Sequence, residues 1–219
     1  MFFLAIHFGV SGTRLRDRLV GKLGEKAFQG LFALASLVGL IWMGRAYSHA
    51  PYVPLWGKLL ALKPIAMPLL LIAFAFIVIG IATASPTKAG MGRQLEREVQ
   101  VRGMTRITRH PFLWGTALWA LVHFVINGDT ASSLLFGSLL LLALGGTASI
   151  DAKRSRNYGE RWERFARETS NVPFAAIAAG RNRVGPALRE IGIVRPLIAI
   201  VVFAVVFALH GRLFGAALT

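Results

Sequence analysis

Cysteine is absent from the 219-residue chain, and acidic residues are scarce. Without thiols the chain cannot form disulfides, Cys-type zinc sites, thiolate-ligated haem or covalently attached c-type haem. Only 10 Asp and Glu residues stand against 25 Lys and Arg residues, which gives a formal net charge of +15. Such basicity is typical of nucleic-acid-binding proteins, but 55% of the residues are apolar, more than an ordinary soluble domain contains.

Charged residues are also missing from four long apolar runs, each long enough to cross a bilayer, which takes about 20 residues. A fifth run, 196–209, is shorter, so its predicted span takes in Arg195 and Arg212, and a short sixth run opens the chain. Together these runs predict an all-α, polytopic membrane bundle of about six transmembrane helices that forms a single domain over residues 1–219. In chain order, the predicted spans are 1–13, 27–44, 64–85, 111–128, 130–150 and 194–212.

The basic residues lie in three segments that this order of spans leaves on one side of the membrane. All but four of them fall within 14–26, 86–110 and 151–195. By the positive-inside rule these segments face the cytoplasm, and both termini lie outside. Anionic lipid head groups then account for the basicity, so we expect the lipid bilayer and no nucleic acid as partner. The expected location is the cytoplasmic membrane of a bacterium.

Two connections between the spans have recognisable patterns. Only Asn127, Gly128 and Asp129 join two runs, which predicts a tight helical hairpin with Gly128 as the helix stop. Residues 151–181 are predicted to lie at the cytoplasmic interface. Within them, 151–169 has the spacing of an amphipathic helix, with an apolar face formed by Tyr158, Trp162, Phe165 and Ala166.

Two of the five histidines stand inside apolar runs. His7 lies in FFLAIHFGV and His123 in LWALVHFVIN. An ionisable residue at membrane depth usually faces the bundle interior and marks a functional site, although a neutral histidine bonded to a neighbouring helix is the alternative. With neither cysteine nor an intramembrane carboxylate nearby, these imidazoles suit a haem iron better than a zinc or di-iron site.

Depth does not decide which histidine pairs with His7. Counted from the expected inner end of each run, His7 lies about 8 Å deep and His123 about 18 Å deep. His110 precedes Pro111 at the start of a span, so it is either a partner for His7 or part of a simple helix start. His49 and His210 stand near span ends and are interpreted as interfacial polar residues.

Basic residues precede the span that holds His123. Arg102, Arg106 and Arg109 could hold haem propionates or a phosphorylated ligand, or could serve only as positive-inside anchors. No nucleophile elbow, P-loop, GxGxxG or HExxH motif occurs, so hydrolase, ATPase and metalloprotease functions have no support.

Four stretches of the sequence resemble the NnrU family of membrane proteins, which includes the plastid and cyanobacterial 15-cis-ζ-carotene isomerases. The third is the most specific, because it joins an RITRHP step to an intramembrane histidine thirteen residues later. The matching stretches are AIHFGVSGTRLR at 5–16, LGEKAFQGLFALASL at 23–37, MTRITRHPFLWGTALWALVHFVINGD at 104–129, and YGERWERFARETSNVPFAAIAAGR at 158–181.

The resemblance implies a polytopic helical protein that carries non-covalent haem b. In the isomerase branch two histidines hold the haem iron, and they match His7 and His123, while His110 matches a family histidine with a supporting role. The expected activity is cis–trans isomerisation of an apolar polyene. One departure is that the isomerases carry a His-His pair in the next span, where this chain has LLLLALGG at 139–146.

Two other functions follow from resemblance. The bacterial branch of the family is associated with denitrification, which suggests a non-catalytic haem sensor, or an electron-transfer or assembly protein. RHPFLWG followed by a hairpin is also similar to S-adenosylmethionine-dependent membrane methyltransferases. In those enzymes an acidic pair follows, whereas here Asp151, Ala152, Lys153 and Arg154 occupy that place.

Overall fold

The computed structural model of the protein describes residues 2–11, 13–88, 90–97 and 100–215. Most of these residues are helical, and none of them belongs to a β-strand. In chain order the elements are α1 (Phe2–Ala5), which continues as a π-helix (Ile6–Ser11), α2 (Arg14–Leu23), α3 (Glu25–Ser48), a 3-10 turn (Leu60–Leu62), α4 (Lys63–Ala82), a second 3-10 turn (Gly92–Glu96), α5 (Met104–Ile107), α6 (Pro111–Asn127), α7 (Thr130–Tyr158), α8 (Glu160–Glu168), α9 (Ala175–Ala178), α10 (Val184–Ile191) and α11 (Val194–Phe214).

Four of these helical segments are long and apolar enough to cross a membrane: Glu25–Ser48, Leu60–Ala82, Thr130–Tyr158 and Val194–Phe214. Their outer faces carry large exposed apolar side chains, as expected of surfaces in contact with lipid; Trp42 on α3 is 63% exposed. The expectation of an all-α membrane protein is therefore confirmed.

Among the described residues, four helices are long enough to span, fewer than the six predicted. The first predicted span, 1–13, is described only over part of its length, where ten residues form α1 and the π-helix. Ten helical residues extend about 15 Å, half of the ~30 Å hydrocarbon layer. The α6 helix has 17 residues, so it extends about 25 Å and is also short for a complete crossing. Which side the termini face stays a prediction.

Glycines let the central helices approach closely. A Cβ atom placed on Gly80 of α4 would lie 2.7 Å from the backbone nitrogen of Phe112, and one on Gly115 of α6 would lie 2.7 Å from the carbonyl oxygen of Ala73. Small residues at such contacts are how membrane helices pack without a hydrophobic driving force. The α4 helix also packs along α11, and α6 also packs along α7, so α4 and α6 form the centre of the bundle.

The predicted hairpin between α6 and α7 is confirmed. Gly128 ends α6 with a left-handed backbone (φ 60°), and the Asp129 side chain caps α7 by accepting from the Ser132 backbone N–H at 3.0 Å. The Gly128 carbonyl accepts backbone N–H groups from three successive residues, Leu55, Trp56 and Gly57. We refer to this end of the bundle as the hairpin end, and to the opposite end, where α4 ends and α6 begins, as the basic end.

Short helices cover the basic end. Met104 and Ile107 of α5 join Ile79, Ala187 and Ile191 in one buried apolar cluster. In a second cluster, the apolar face predicted around Trp162 and Phe165 is present on α8. Leu95 and Val101 of the chain itself cover that face, so the packing of α8 does not require a lipid surface. The first part of the predicted amphipathic segment, residues 151–158, is the end of α7 and does not form a separate interfacial helix.

Candidate histidine site in the membrane bundle

His123 lies on α6 with its ring held on two sides. Its Nδ1 donates to the carbonyl oxygen of Trp119 at 2.8 Å, while the Trp119 and Phe136 rings lie 4.7 and 4.8 Å from the imidazole ring centre. Because a carbonyl can only accept, this bond places the proton on Nδ1 and leaves Nε2 as the nitrogen with a lone pair. An imidazole fixed in this way is what a metal ligand requires.

The ring of His210 on α11 lies opposite His123. The two imidazole centres are 6.5 Å apart, and their planes differ by 20°. Phe214, one turn further along α11, contacts His210 with a ring distance of 5.1 Å. The interpretation of His210 as an interfacial polar residue missed this pairing.

His7 occupies the π-helix at the start of the chain. Its Nδ1 donates to the carbonyl oxygen of Phe3 at 2.8 Å, so it has the same tautomer and the same open Nε2 as His123. The rings of Phe3 and Phe32 lie 4.4 and 5.1 Å from the imidazole centre. Taken singly, His7 and His123 both have the donor chemistry of a haem ligand.

The structure does not bring His7 and His123 together. Phe8, next to His7, packs against Gly145 of α7, whereas His123 packs against Phe136 of the same helix. The two contact points are nine residues apart, which is about 14 Å along the helix axis. One iron atom between these two imidazoles does not fit this arrangement.

The α3 helix gives the same result. Phe32 contacts His7, while Tyr47 contacts the Phe136 ring that touches His123. Fifteen residues separate Phe32 from Tyr47, about 22 Å along the axis. Within the described part of the chain, no group of three or more His, Asp or Glu residues could hold a metal ion by itself.

His110 lies at the basic end, directly before α6, and is only 3% exposed. Its Nε2 donates to Asp151 Oδ1 at 2.7 Å. Arg109 donates to the same carboxylate through Nε and through a terminal nitrogen, the latter at 2.6 Å from Oδ2, and Asn171 Nδ2 donates to Oδ2 at 3.1 Å. Both oxygens of Asp151 are therefore fully used inside the protein.

Further hydrogen bonds join this cluster to neighbouring segments. Trp114 Nε1 donates to the Asn171 side chain at 3.3 Å, and the hydroxyls of Ser85 and Thr87 donate to the Arg109 carbonyl. The RHP step thus fastens the start of α6 to α7 and to the loops around residues 85 and 171. His110 and His123 are thirteen residues apart, about 20 Å along the helix. The two histidines therefore do not share a site.

Arg106 forms a second ion pair at the basic end, with Glu190. Its Nε and a terminal nitrogen donate to the Glu190 carboxylate at 2.8 and 2.9 Å, and its other terminal nitrogen donates to Asn182. The hydrogen bond from Arg106, with another from the backbone N–H of Gly103, lowers the pKa of Glu190 to about 2. Arg106 and Arg109 are thus both paired with carboxylates, and their role toward a propionate stays a prediction.

The apolar helices, together with imidazoles inside their packed layer, define a polytopic helical membrane protein with a candidate intramembrane histidine site. The family model described as NnrU protein matches residues 1–218, so the chain belongs to the NnrU family.

Two curated relatives have the same name. The chain is similar to the chloroplastic 15-cis-zeta-carotene isomerase of Arabidopsis thaliana, with 28% identity over 188 residues, which are 83% of this chain and 50% of the relative. It is 25% identical to the chloroplastic 15-cis-zeta-carotene isomerase of Zea mays over 194 residues, 84% of this chain and 50% of the relative. The chain therefore spans about half the length of these proteins. No solved structure matches it significantly.

Proposed function

We propose that this protein is a membrane isomerase that converts a cis double bond of a long apolar polyene to the trans form. The observation that carries the proposal is its similarity to two 15-cis-zeta-carotene isomerases over more than four fifths of the chain. The apolar helices support it, because a polyene needs an extended surface without charges. The proposed location is the cytoplasmic membrane of a bacterium.

Haem b is the proposed cofactor. Once bound, it would supply a redox-active iron that can exchange electron density with the conjugated double bonds. His123 is the proposed iron ligand, because the Trp119 carbonyl fixes its tautomer and the Trp119 and Phe136 rings pack against its imidazole. His7, which the resemblance assigns as the second ligand, has an imidazole tethered in the same way but at another level of the bundle.

The test is expression of the full chain in bacteria that accumulate 15-cis-zeta-carotene, with the pigments separated by liquid chromatography. We expect the wild type to deplete the 15-cis isomer and His123→Ala to leave it in place. His49→Ala is the matched control, because His49 is exposed at the end of α3 and its hydrogen bonds to described residues are local, to the Arg45 carbonyl and Ser48. Unchanged pigment in cells that contain folded wild-type protein would refute the isomerase function.

A non-catalytic haem protein of nitrogen-oxide metabolism, acting as a sensor or in electron transfer or assembly, is the second candidate. The observation that favours it is the apolar stretch 139–146, LLLLALGG, where the isomerases carry a His-His pair. Haem binding without any change of the pigment would support this candidate. The methyltransferase alternative gains nothing from Asp151, whose carboxylate is committed to His110, Arg109 and Asn171.

A further inference from the structure

We propose that a small polar pocket between α2 and α7, at the basic end, binds a phosphate group that comes from an anionic lipid head group or from a soluble phosphate. The pocket is partly enclosed, with an empty volume of about 260 Å³ that includes its open mouth. Three of its lining residues are cations, Arg16, Lys153 and Arg156, and one, Asp17, is an acid. This site goes beyond the proposed function, since it requires neither isomerase activity nor haem.

The α7 helix contributes polar side chains to the pocket from one of its faces. Ser149, Lys153 and Arg156 are four and three residues apart, so they lie above one another on the same side of the helix. Asn157 adds a side-chain amide four residues after Lys153. The hydroxyl and the amide can donate hydrogen bonds, and the ammonium and guanidinium groups can donate charge-assisted ones. Such a set of donors suits a phosphate group.

Lys153 is a cation without a close acidic partner. The ion pairs within the described part of the chain include neither Lys153 nor Arg156. Lys153 is nevertheless only partly exposed to solvent, so its charge is incompletely hydrated. Arg154, the next residue, donates to the backbone carbonyls of Pro86 and Lys88 and not to a carboxylate. The charged groups around Lys153 are Arg16, Arg154, Asp17 and Glu25.

The two acids beside the pocket are already paired with Arg16. One of its terminal nitrogens donates to Glu25 Oε1 at 2.7 Å, and the other lies 3.5 Å from Asp17 Oδ1. These contacts also hold the Arg16 side chain, which is largely shielded from water. A phosphate in the pocket would supply the negative charge that Lys153 lacks, and Arg156 on the same face of α7 is placed to share it.

The pocket lies at the depth where the phosphate layer of a bilayer begins. The apolar run at 130–150 extends about 32 Å along α7, close to the ~30 Å thickness of the hydrocarbon layer. Lys153 follows this run by three residues, about 4.5 Å. Toward the hairpin end, Leu141 and Leu144 of the same helix are exposed and provide an apolar surface for acyl chains. This depth favours a lipid as the source of the phosphate.

The experiment compares three additions to the full chain, purified in dodecyl maltoside without phosphate and held at constant ionic strength. They are inorganic phosphate, dioctanoyl-phosphatidylglycerol and dioctanoyl-phosphatidylcholine, and the Tm is measured as each is titrated. We expect phosphatidylglycerol to raise the Tm saturably and phosphatidylcholine to raise it less, because choline neutralises the phosphate charge. A saturable rise with inorganic phosphate would support a site that also accepts soluble phosphate. No saturable rise with either anion would overturn the proposal.

The variant Lys153→Gln tests whether the pocket is where the anion binds. It removes one charge-assisted contact, so the Kd for phosphatidylglycerol should rise about tenfold. Lys22→Gln is the matched control, because it removes the same charge from an exposed position on α2. An equal rise of the Kd in both variants would mean that the anion responds only to the overall basicity, and the proposal would be wrong.

A structural role of Lys153 gives a different result. If Lys153 served only packing, Lys153→Gln would lower the Tm without any anion and leave the Kd unchanged, which would overturn the proposal. We expect the opposite, an unchanged or higher Tm without anion, because the variant removes a partly buried cation beside Arg16 and Arg154. Arg156→Gln covers the case in which Lys153→Gln does not fold, since Arg156 is exposed. It should also raise the Kd, and an unchanged Kd would contradict the site.

Discussion

His110 and Asp151, which are 41 residues apart in the sequence, share a hydrogen bond of 2.7 Å at the basic end of the bundle. The same carboxylate also accepts hydrogen bonds from Arg109, so the imidazole and the guanidinium of two adjacent residues bind one acidic side chain. Side chains of Arg109 and Asp151 are 13% and 17% exposed, so the pair is largely shielded from water. The bond fixes where α6 begins relative to α7, and hence how α6 carries His123 into the bundle.

Asp151→Asn should therefore destabilise the protein. The substitution removes the charge that compensates Arg109, and a shielded ion pair that loses one partner costs about 3 kcal/mol or more. We expect a clear drop in the Tm of the detergent-purified protein. The matched control is Asp17→Asn, since the Asp17 side chain is 65% exposed and lies 3.5 Å from Arg16, a geometry that contributes little. Equal Tm values for the two variants would contradict the role of the cluster.

The ion pair between Arg106 and Glu190 predicts a pH dependence of stability. Hydrogen bonds from Arg106 and the Gly103 backbone lower the pKa of Glu190 from 4.5 to about 2. A carboxyl group whose pKa is lowered by folding stabilises the protein fully above its unfolded pKa, and this contribution is lost as the pH falls from 4.5 toward 2.

The variant Glu190→Gln tests this dependence. It should melt at a lower temperature than the wild type at pH 6, and the difference should shrink steadily between pH 4.5 and pH 2, because protonation then removes the same charge from the wild type. A difference in Tm that stays constant over this range would show that the carboxylate charge of Glu190 does not stabilise the fold.

Hydropathy predicted the long helices, because burial in lipid depends on local sequence alone. Each of four predicted runs lies mainly or wholly within one helix: 27–44, 64–85, 130–150 and 194–212. The hairpin at Gly128 was predictable for the same reason, since the stop signal lies within the turn. The first run, 1–13, lies partly outside the described residues; its ten described helical residues are by themselves shorter than a span, and apolar composition alone does not give the length of a helix.

Contacts between distant segments were not predictable from the pattern. Asp151 was noticed only as a departure from an acidic pair, because nothing local links it to His110. His210 was interpreted as interfacial from its place near a span end. The signal that could have revealed the pairing is that His123 also lies four residues before a helix end, on a helix that runs in the same direction.

The contact between α4 and α6 should not tolerate a methyl group at Gly115. A Cβ there would approach the Ala73 carbonyl oxygen to 2.7 Å and the Ile77 backbone nitrogen to 2.8 Å, so one helix must move. We expect Gly115→Ala to lower stability by about 1–3 kcal/mol, as overpacked sites do. The control is Gly30→Ala on α3, which has open space around it and should be neutral or stabilising, because alanine favours helix more than glycine. A Tm for Gly115→Ala equal to that of the control would refute the close packing.

The hairpin next to His123 provides the last prediction. Gly128 has φ 60°, and a Cβ on it would collide with the carbonyl oxygen of Gly57, whose own N–H bonds to the Gly128 carbonyl. Gly128→Ala should therefore cost about 1 kcal/mol for the left-handed backbone. It should also break the hydrogen bonds from the backbone of residues 55–57, here called the strap, to the Gly128 carbonyl. Gly215→Ala isolates the first cost, since Gly215 ends α11 in the same backbone region (φ 68°) and no atom of the described residues lies within 4 Å of the position of its Cβ. Thermal unfolding should give a larger drop in Tm for Gly128→Ala than for Gly215→Ala, and equal drops would mean that the strap does not hold the end of α6 in place.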